Sequence, residues 1–307
     1  MEKETGKKID IHIRPADQVS IFFLSLFASL TLLFHNSIES PFKLLIIYTL
    51  LLAIQIYLGK ISPSKGIGRF IYDIVFPVVM ILTVFDTMTE LVPGIRSHDI
   101  DHLLIRADYF IFRTYPTVWL ERFFSPLLTD ILQIGYSSYY FLPVFLGIVL
   151  KLQGKNKEFD EGITFILLCF FLSYVGYILF PALGPRYAME HLQSFPMKGS
   201  GVYEWVSSIL NSIEGIKRDA FPSGHTGISL MVLHLAFRYE KRLLPLFIPL
   251  VTLLIIATVY CRYHYAVDVL GGVGLYILTL ITGRFIIRRW AKEEDQTDLQ
   301  PQEIKET

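Results

Sequence analysis

The chain has 307 residues, enough for one large domain or two modest ones, and its composition excludes most soluble folds. Hydrophobic residues make up 52% against 18% charged residues, and the mean hydropathy is +0.47. Lys and Arg (28) balance Asp and Glu (28), so no net charge indicates a nucleic-acid partner. The two cysteines, Cys169 and Cys261, lie in or beside apolar segments, which excludes a disulfide scaffold or a four-cysteine zinc site. We therefore predict an all-α polytopic membrane protein.

Long apolar segments, taken in chain order, predict the transmembrane helices. A helix needs about 20 apolar residues to cross the hydrocarbon core, and these segments are too long and too uniform for the alternating strands of a membrane barrel. We predict about eight spans, at 18–35, 42–59, 70–92, 128–150, 163–182, 224–240, 244–261 and 266–287. A polar N-terminal segment, 1–17, precedes them without a signal-peptide pattern, and a charged tail, 288–307, is predicted to be disordered.

The spans are grouped into two additional N-terminal helices, 18–69, and a six-helix core, 70–287. Most Lys and Arg residues flank the spans on the side of the two termini, which predicts cytoplasmic termini and outward-facing loops at 93–127 and 183–223. The short loops favour the plasma (inner) membrane, with an endomembrane as the alternative. Aromatic and charged residues alternate at helical spacing in the first long loop, which predicts either an interfacial helix or a cap on the bundle.

The predicted sixth span opens with the segment RDAFPSGHT. Pro222 suits the start of a helix, and Ser223 and Gly224 leave the first backbone N–H groups approachable. Such a helix end is an anion site, and Arg218 and His225 beside it make phosphate the expected ligand. The alternative is an ordinary capped helix with an incidental histidine.

The predicted seventh and eighth spans are joined by the segment YCRYHYAVD. His264 and Asp268 are four residues apart and share a helix face, so the carboxylate can orient the imidazole as a nucleophile requires. Arg262 adds a planar fork that suits phosphate oxygens. Two alternatives stay open, namely a simple ion pair at a helix end and a metal site made by His225, His264 and Asp268.

A third segment, FPALGPRY, closes the predicted fifth span. Its prolines and glycine end the helix and bring Arg186 to the outer surface, against the charge bias of the chain. Arg186 is therefore a candidate phosphate ligand, and snorkelling toward lipid head groups is the alternative.

Together these segments resemble the type 2 phosphatidic acid phosphatase superfamily, whose soluble relatives are the vanadium haloperoxidases. Its motifs are Lys-x6-Arg-Pro, then Pro-Ser-Gly-His, then Ser-Arg-x5-His-x3-Asp. The second motif is matched in full from Pro222 to His225, and the His-x3-Asp half of the third is matched by His264 and Asp268. The resemblance covers roughly residues 70–287.

The chain departs from the other motif positions. The lysine of the first motif would fall at Leu179, and the Ser-Arg pair of the third would fall at Ala257 and Thr258. Arginines stand nearby instead, at Arg186 and Arg262. This pattern is more similar to the inositolphosphotransferase-like branch, which includes inositol phosphorylceramide synthases.

The resemblance implies a chemistry for each position. His264 would attack phosphorus to form a phosphohistidine, Asp268 would orient it, and His225 would protonate the leaving oxygen and then activate the acceptor. The phosphate oxygens would be held by Arg186, Arg218, Ser223, Gly224 and Arg262. No metal or other cofactor is expected. The implied partners are a lipid phosphate substrate and the surrounding membrane lipids, without nucleic acid or a protein partner.

Three functions follow from these observations. With water as acceptor the protein is a lipid phosphatase, which we favour because hydrolysis needs no second pocket. With a lipid or sugar hydroxyl as acceptor it is a phosphotransferase, for example of phosphoinositol. A transporter or channel is the third alternative, suggested by the intramembrane acids Asp73, Asp86 and Glu90, although a wet helix end or a helix partner also explains them.

Overall fold

The computed structural model describes residues 14–63, 65–213 and 217–299, with backbone alone at 210–213 and 293–299. Throughout these residues the chain forms helices and short helical turns, and no strand. The α-helices are α1 (Pro15–Leu33), α2 (Pro41–Ile61), α3 (Gly66–Phe70), α4 (Phe76–Ile95), α5 (Asp101–Phe112), α6 (Pro116–Trp119), α7 (Pro126–Ser137), α8 (Leu142–Leu152), α9 (Asn156–Leu179), α10 (Pro185–Ala188), α11 (Val202–Ile213), α12 (Gly224–Tyr239), α13 (Leu244–Tyr260) and α14 (Ala266–Leu299).

The helices confirm an all-α polytopic membrane protein. Six helical segments of the described chain are long and apolar enough to cross a membrane, and α7 with α8 makes a seventh if this bent pair is one span. The predicted span 224–240 forms α12, whose 16 residues extend for about 24 Å at 1.5 Å per residue. That is shorter than a hydrocarbon core of about 30 Å. The count of eight spans stays a prediction.

Three predicted segments differ from the observed helices. The predicted helix 128–150 is broken between α7 and α8 by a bend of 50°, because Pro143 at the start of α8 cannot continue a preceding helix. A π-helical turn, Ile71–Val75, joins α3 to α4 within the predicted third span. The tail predicted to be disordered from 288 continues α14 as far as Leu299, while residues 1–13 and 300–307 lie outside the described residues.

Helix α9 is the centre of the bundle and packs against α1, α4, α8, α12 and α14. Helix α2 packs on α1, which attaches the two N-terminal helices to the rest. Glycines bring the central helices close together: a Cβ at Gly272 in α14 would lie 2.6 Å from the Ser223 carbonyl oxygen, and one at Gly176 in α9 would lie 2.3 Å from Pro222. This close packing places the start of α12 against both α9 and α14.

The two ends of the bundle differ in their polar groups. One end, which we call the cap end, carries α5, α6, α10 and α11 over the starts of α12 and α14. The other, the base end, carries a cluster of charged side chains around Asp73, near the start of α4 and of α9. All the residues proposed above for chemistry lie at the cap end.

Candidate active site

The start of α12 is fixed by hydrogen bonds to its neighbours. The Ser223 hydroxyl accepts from the Thr226 N–H at 3.3 Å and so caps the helix. The Ser223 N–H in turn donates to the Asp268 carbonyl oxygen at 3.1 Å, which ties α12 to α14. Gly224 lies against Tyr177, since a Cβ there would be 2.5 Å from the Tyr177 hydroxyl. Two of the predicted phosphate ligands, Ser223 and Gly224, are therefore buried at a tightly packed helix end.

The structure brings the two predicted catalytic histidines together. Nδ1 of His225 lies 3.2 Å from Nε2 of His264. Nδ1 of His264 lies 2.7 Å from the Ala220 carbonyl oxygen. A carbonyl oxygen can only accept, so Nδ1 of His264 carries the proton and Nε2 of the neutral ring keeps its lone pair. The unprotonated nitrogen of His264 therefore faces His225.

Asp268 lies behind His264, fully buried at the start of α14. Its Oδ2 is 3.5 Å from Nδ1 of His264 and accepts the Tyr265 N–H at 2.8 Å. Its Oδ1 has no hydrogen-bond partner among the described residues. The carboxylate is thus within electrostatic reach of the imidazole, but the closer acceptor is the Ala220 carbonyl.

Tyrosines enclose His225 on both sides. The Tyr136 ring stacks on the imidazole with centroids 4.5 Å apart, and the Tyr139 ring lies 4.3 Å away. Tyr263 stacks in turn on Tyr136 at 4.4 Å. The stacked rings hold the plane of the His225 imidazole in place. Tyr136 lies near the end of α7 and Tyr139 in the turn between α7 and α8, so the bend builds part of the site.

The predicted arginine ligands are engaged with carboxylates or backbone. Arg262 is 2% exposed, and its guanidinium donates to Glu121 at 2.8 Å, to Gln193 at 2.9 Å and to the Phe195 carbonyl at 2.7 Å. Arg262 also has a left-handed backbone, with φ of 64°, which is uncommon for a residue other than glycine.

The two other arginines lie around the same site. Arg218 forms a two-point ion pair with Asp99, at 2.7 and 3.3 Å. The Arg186 N–H donates to the Arg262 carbonyl at 3.0 Å, which joins the loop after α9 to the loop before α14. The structure therefore brings together His225, His264 and Asp268 with the start of α12, and it arranges the arginines around them in ion pairs and loop contacts.

Two carboxylates of α5, Asp101 and Asp108, hold the site loops, although neither belongs to a segment that predicted the site. Asp101 accepts the Leu183 and Gly184 N–H groups at 2.9 Å each and the Tyr265 hydroxyl at 2.7 Å. Asp108 accepts the first two N–H groups of α14, at 3.1 and 2.8 Å. Their spacing of seven residues places both on one face of a helix, and this spacing was the available signal.

Asp219 is a further acidic group near His264. It precedes Ala220, whose carbonyl holds His264, and it lies outside the membrane-spanning segments. Burial raises the pKa of Asp219 to about 6, although the nearby His264 acts in the opposite direction. Protonation of this carboxyl therefore takes place close to neutral pH.

A mostly apolar cavity opens from the site into the bundle. It is lined by α4, α8 and α9 and reaches from His225 to Asp73, with about 1210 Å³ of empty space, part of it open to the surroundings. Tyr139, Tyr174 and Tyr177 line it next to His225. The histidine pair thus lies at the polar mouth of a hydrophobic cavity.

Metal ligation was the alternative for the histidines and Asp268. Across residues 14–63, 65–213 and 217–299, no group of three or more His, Cys, Asp or Glu side chains is arranged to hold a metal ion. The two imidazoles instead face each other through ring nitrogens 3.2 Å apart.

Fold and site together define a helical membrane protein with a paired-histidine centre at the mouth of an apolar cavity. Residues 109–282, more than half of the chain, match the PAP2 superfamily, and the chain belongs to it. This confirms the predicted superfamily, while the inositolphosphotransferase-like branch stays a prediction.

A curated relative agrees with this assignment. The chain is similar to a PA-phosphatase related-family protein of Dictyostelium discoideum, with 26% identity over 189 residues that cover 54% of this chain and 34% of that protein. The chain thus matches about a third of that relative's length. No solved structure matches the chain significantly.

Proposed function

We propose that the protein is a lipid phosphatase that hydrolyses a phosphate ester or pyrophosphate of an amphiphile through a phosphohistidine on His264. Membership of the PAP2 superfamily supports a phosphatase-type function on lipid phosphates. The observation that carries the mechanism is the fixed tautomer of His264, because the Ala220 carbonyl holds Nδ1–H and leaves the Nε2 lone pair facing His225.

The reaction proceeds in two displacements. In the first, the Nε2 lone pair of His264 forms a P–N bond, the P–O bond to the leaving group breaks, and protonated His225 gives its proton to the leaving oxygen. In the second, His225 takes a proton from water, the water oxygen forms a new P–O bond, and the P–N bond breaks. Asp268 stabilises the positive charge on the His264 ring throughout.

Substrate binding must separate the two imidazoles. A gap of 3.2 Å between their nitrogens leaves no room for a phosphorus atom with its oxygens. The phosphate would then lie at the start of α12, where Ser223, Gly224 and the helix dipole favour an anion. Arg186 lies in the short helix α10, at the same end of the bundle. Arg218 and Arg262 would join the phosphate by exchanging Asp99 and Glu121 for its oxygens.

A lipid substrate fits the position of the site. The cavity beside His225 is apolar, so it accepts hydrocarbon while the phosphate stays at the polar mouth. We further propose that the cap end faces the extracytoplasmic side of the plasma membrane and that both termini are cytoplasmic, as the distribution of Lys and Arg favours.

The test is phosphate release by the purified protein in lipid nanodiscs. The substrates are phosphatidate, isoprenoid pyrophosphates, phosphatidylglycerophosphate and inositol lipids, each with EDTA and separately with vanadate, a mimic of five-coordinate phosphorus. We expect release that survives EDTA, stops with vanadate and is absent from His264→Ala. Loss of turnover in EDTA with recovery on adding zinc would overturn the mechanism.

The same assay separates the phosphatase from the phosphotransferase. Adding ceramide or diacylglycerol as acceptor should leave the yield of free phosphate unchanged for a phosphatase. Appearance of a phosphorylated acceptor at the expense of free phosphate would assign the transferase activity to this site.

A further inference from the structure

The cavity below His225 has an unusual depth. On α9 its lining runs from Tyr177 at the cap end to Phe159 near the base end. These positions are 18 residues apart, which corresponds to about 27 Å along a helix. The hydrocarbon core of a bilayer is about 30 Å thick. The cavity therefore continues through both leaflets instead of ending at the midplane.

The lining of the neighbouring helices agrees with this depth. On α4 and the turn before it, the lining begins at Asp73 and continues through Val78 to Phe85. On α8 it continues to Leu150, two residues before the helix ends. All three helices thus contribute apolar side chains in the half of the cavity farther from the histidines.

Charged residues close the cavity at the base end. Asp73 is 1% exposed and forms ion pairs with Arg14 at 2.7 Å, Arg69 at 2.6 Å and Lys151 at 2.7 Å. Arg14 also pairs with Asp17 and Asp160 at 3.3 and 3.1 Å. The three cations are balanced by three carboxylates, so the cluster offers no spare charge to a second head group. It forms a polar floor at which a hydrocarbon chain has to end.

We propose that this cavity binds the hydrocarbon chain of the substrate along its whole depth and selects lipid phosphates whose chain passes the bilayer midplane. The inference rests on the proposed function, since it places the phosphate of the same molecule at His225 and His264. A chain confined to one leaflet fills the upper half of the cavity, down to about the level of Leu167 on α9. A longer chain also contacts Val78 and Leu150, and the close packing of protein side chains around it favours binding of the longer chain.

Two neighbouring valines of α4 provide a matched test. Val78 lines the lower half of the cavity, whereas Val79 is 49% exposed on the outer surface of the bundle. Val78→Phe fills the lower half with a ring, and Val79→Phe adds the same ring outside. The assay measures phosphate release from farnesyl phosphate, a short chain, and from undecaprenyl phosphate, a long chain, with wild type and both variants.

We expect wild type to show a kcat/KM at least tenfold higher for the long chain. Val78→Phe should lose that preference and keep the rate for farnesyl phosphate, and Val79→Phe should match wild type with both substrates. Equal kcat/KM for the two chains in wild type, or an unchanged preference in Val78→Phe, would overturn the inference while leaving the phosphatase proposal in place. If the protein releases phosphate neither from these two substrates nor from the other lipids, the proposed function would be overturned instead.

Discussion

His264 has two acceptors near Nδ1, and they contribute differently to its chemistry. The Ala220 carbonyl at 2.7 Å is the closer one, and it is a backbone group that no side-chain substitution removes. Asp268 at 3.5 Å is the charged one. The carbonyl therefore sets the tautomer, and the carboxylate stabilises the cationic ring formed when Nε2 bonds to phosphorus.

This division of roles predicts that two variants lose turnover to different extents. Asp268→Asn removes the charge but leaves the tautomer, so turnover should fall by roughly ten- to a hundredfold, or about 1.5–3 kcal/mol. His264→Ala removes the nucleophile, so turnover should fall to background and no acid-labile phosphoenzyme should be trapped. Equal turnover in the two variants would show that the Ala220 carbonyl does not hold the ring as inferred.

Asp219 makes folding stability depend on pH. Its pKa is raised by burial from 3.8 to about 6, so between these values the folded protein binds more protons than the unfolded chain. Stability then falls as the pH rises through this window. Relative to Asp219→Asn, the unfolding temperature of wild type should decrease between about pH 4 and pH 7. If the unfolding temperatures of the two proteins change with pH by the same amount, Asp219 does not contribute to the pH dependence of stability.

Glu121 competes with phosphate for Arg262 if the proposed exchange takes place. Glu121→Gln weakens the ion pair at 2.8 Å and leaves a buried guanidinium, which should lower stability by about 3–5 kcal/mol. The same change should lower KM, because the guanidinium turns to the substrate more readily. Lower stability with an unchanged KM would make Arg262 a loop anchor without a phosphate contact.

Arg262→Lys tests the same contact from the other side. Lysine keeps the positive charge but loses the planar fork that binds two phosphate oxygens at once, so KM should rise.

At the scale of helices, α5 organises the site without contributing to the chemistry. Asp108 accepts the N–H groups of Ala266 and Val267 and so acts as a cap supplied by another helix. The next residue of α14 is Asp268, and His264 lies just before the helix. A displacement of the start of α14 therefore moves the nucleophile and the carboxylate together.

Removing this cap should affect stability and turnover at once. Asp108→Ala should cost about 1–2 kcal/mol, the usual range for a lost cap, and should lower kcat because the His225–His264 geometry is disturbed. Arg106→Ala, an exposed position on the same helix, is the control and should change neither. Denaturant unfolding and steady-state kinetics on both variants provide the measurement. A kcat unchanged in Asp108→Ala would show that α14 keeps its position without the cap.

The elements that the sequence predicts well are those encoded by local patterns. The start of α12 and the His264–Asp268 pair follow from residues within four positions of one another. Other features depend on distant partners: Arg262 pairs with Glu121, 141 residues away, so no local pattern indicates that its guanidinium is engaged. The bend between α7 and α8 was missed because hydropathy averages over a span, and apolar residues continue on both sides of Pro143.

At the scale of the whole molecule, the polar groups proposed to react lie at the cap end, and the polar groups that join helices include the cluster at the base end. At the cap end, His225 Nε2 and Asp268 Oδ1 are buried without a hydrogen-bond partner among the described residues, which is costly for folding and typical of groups that act on a substrate. At the base end, the carboxylate of Asp73 is surrounded by three cations.

The intramembrane acids suggested a transporter as an alternative function. At Asp73 and Glu90, however, ion pairs with residues of other helices explain the presence of the acid.

This separation predicts that the base cluster affects stability and chain selection but not phosphoryl transfer. Asp73→Asn leaves Arg14, Arg69 and Lys151 without their shared partner, which should cost about 3–5 kcal/mol. Glu90→Gln is the control at the cap end, where Lys43 is 58% exposed, and it should cost less than about 1 kcal/mol. Below the unfolding temperature, Asp73→Asn should release phosphate from farnesyl phosphate at the wild-type rate, because the cluster lies at the opposite end of α9 from the histidines. Thermal melts and initial rates of phosphate release, measured on the same samples, test this prediction. Loss of phosphate release by an Asp73→Asn protein of unchanged stability would assign Asp73 a role in the chemistry.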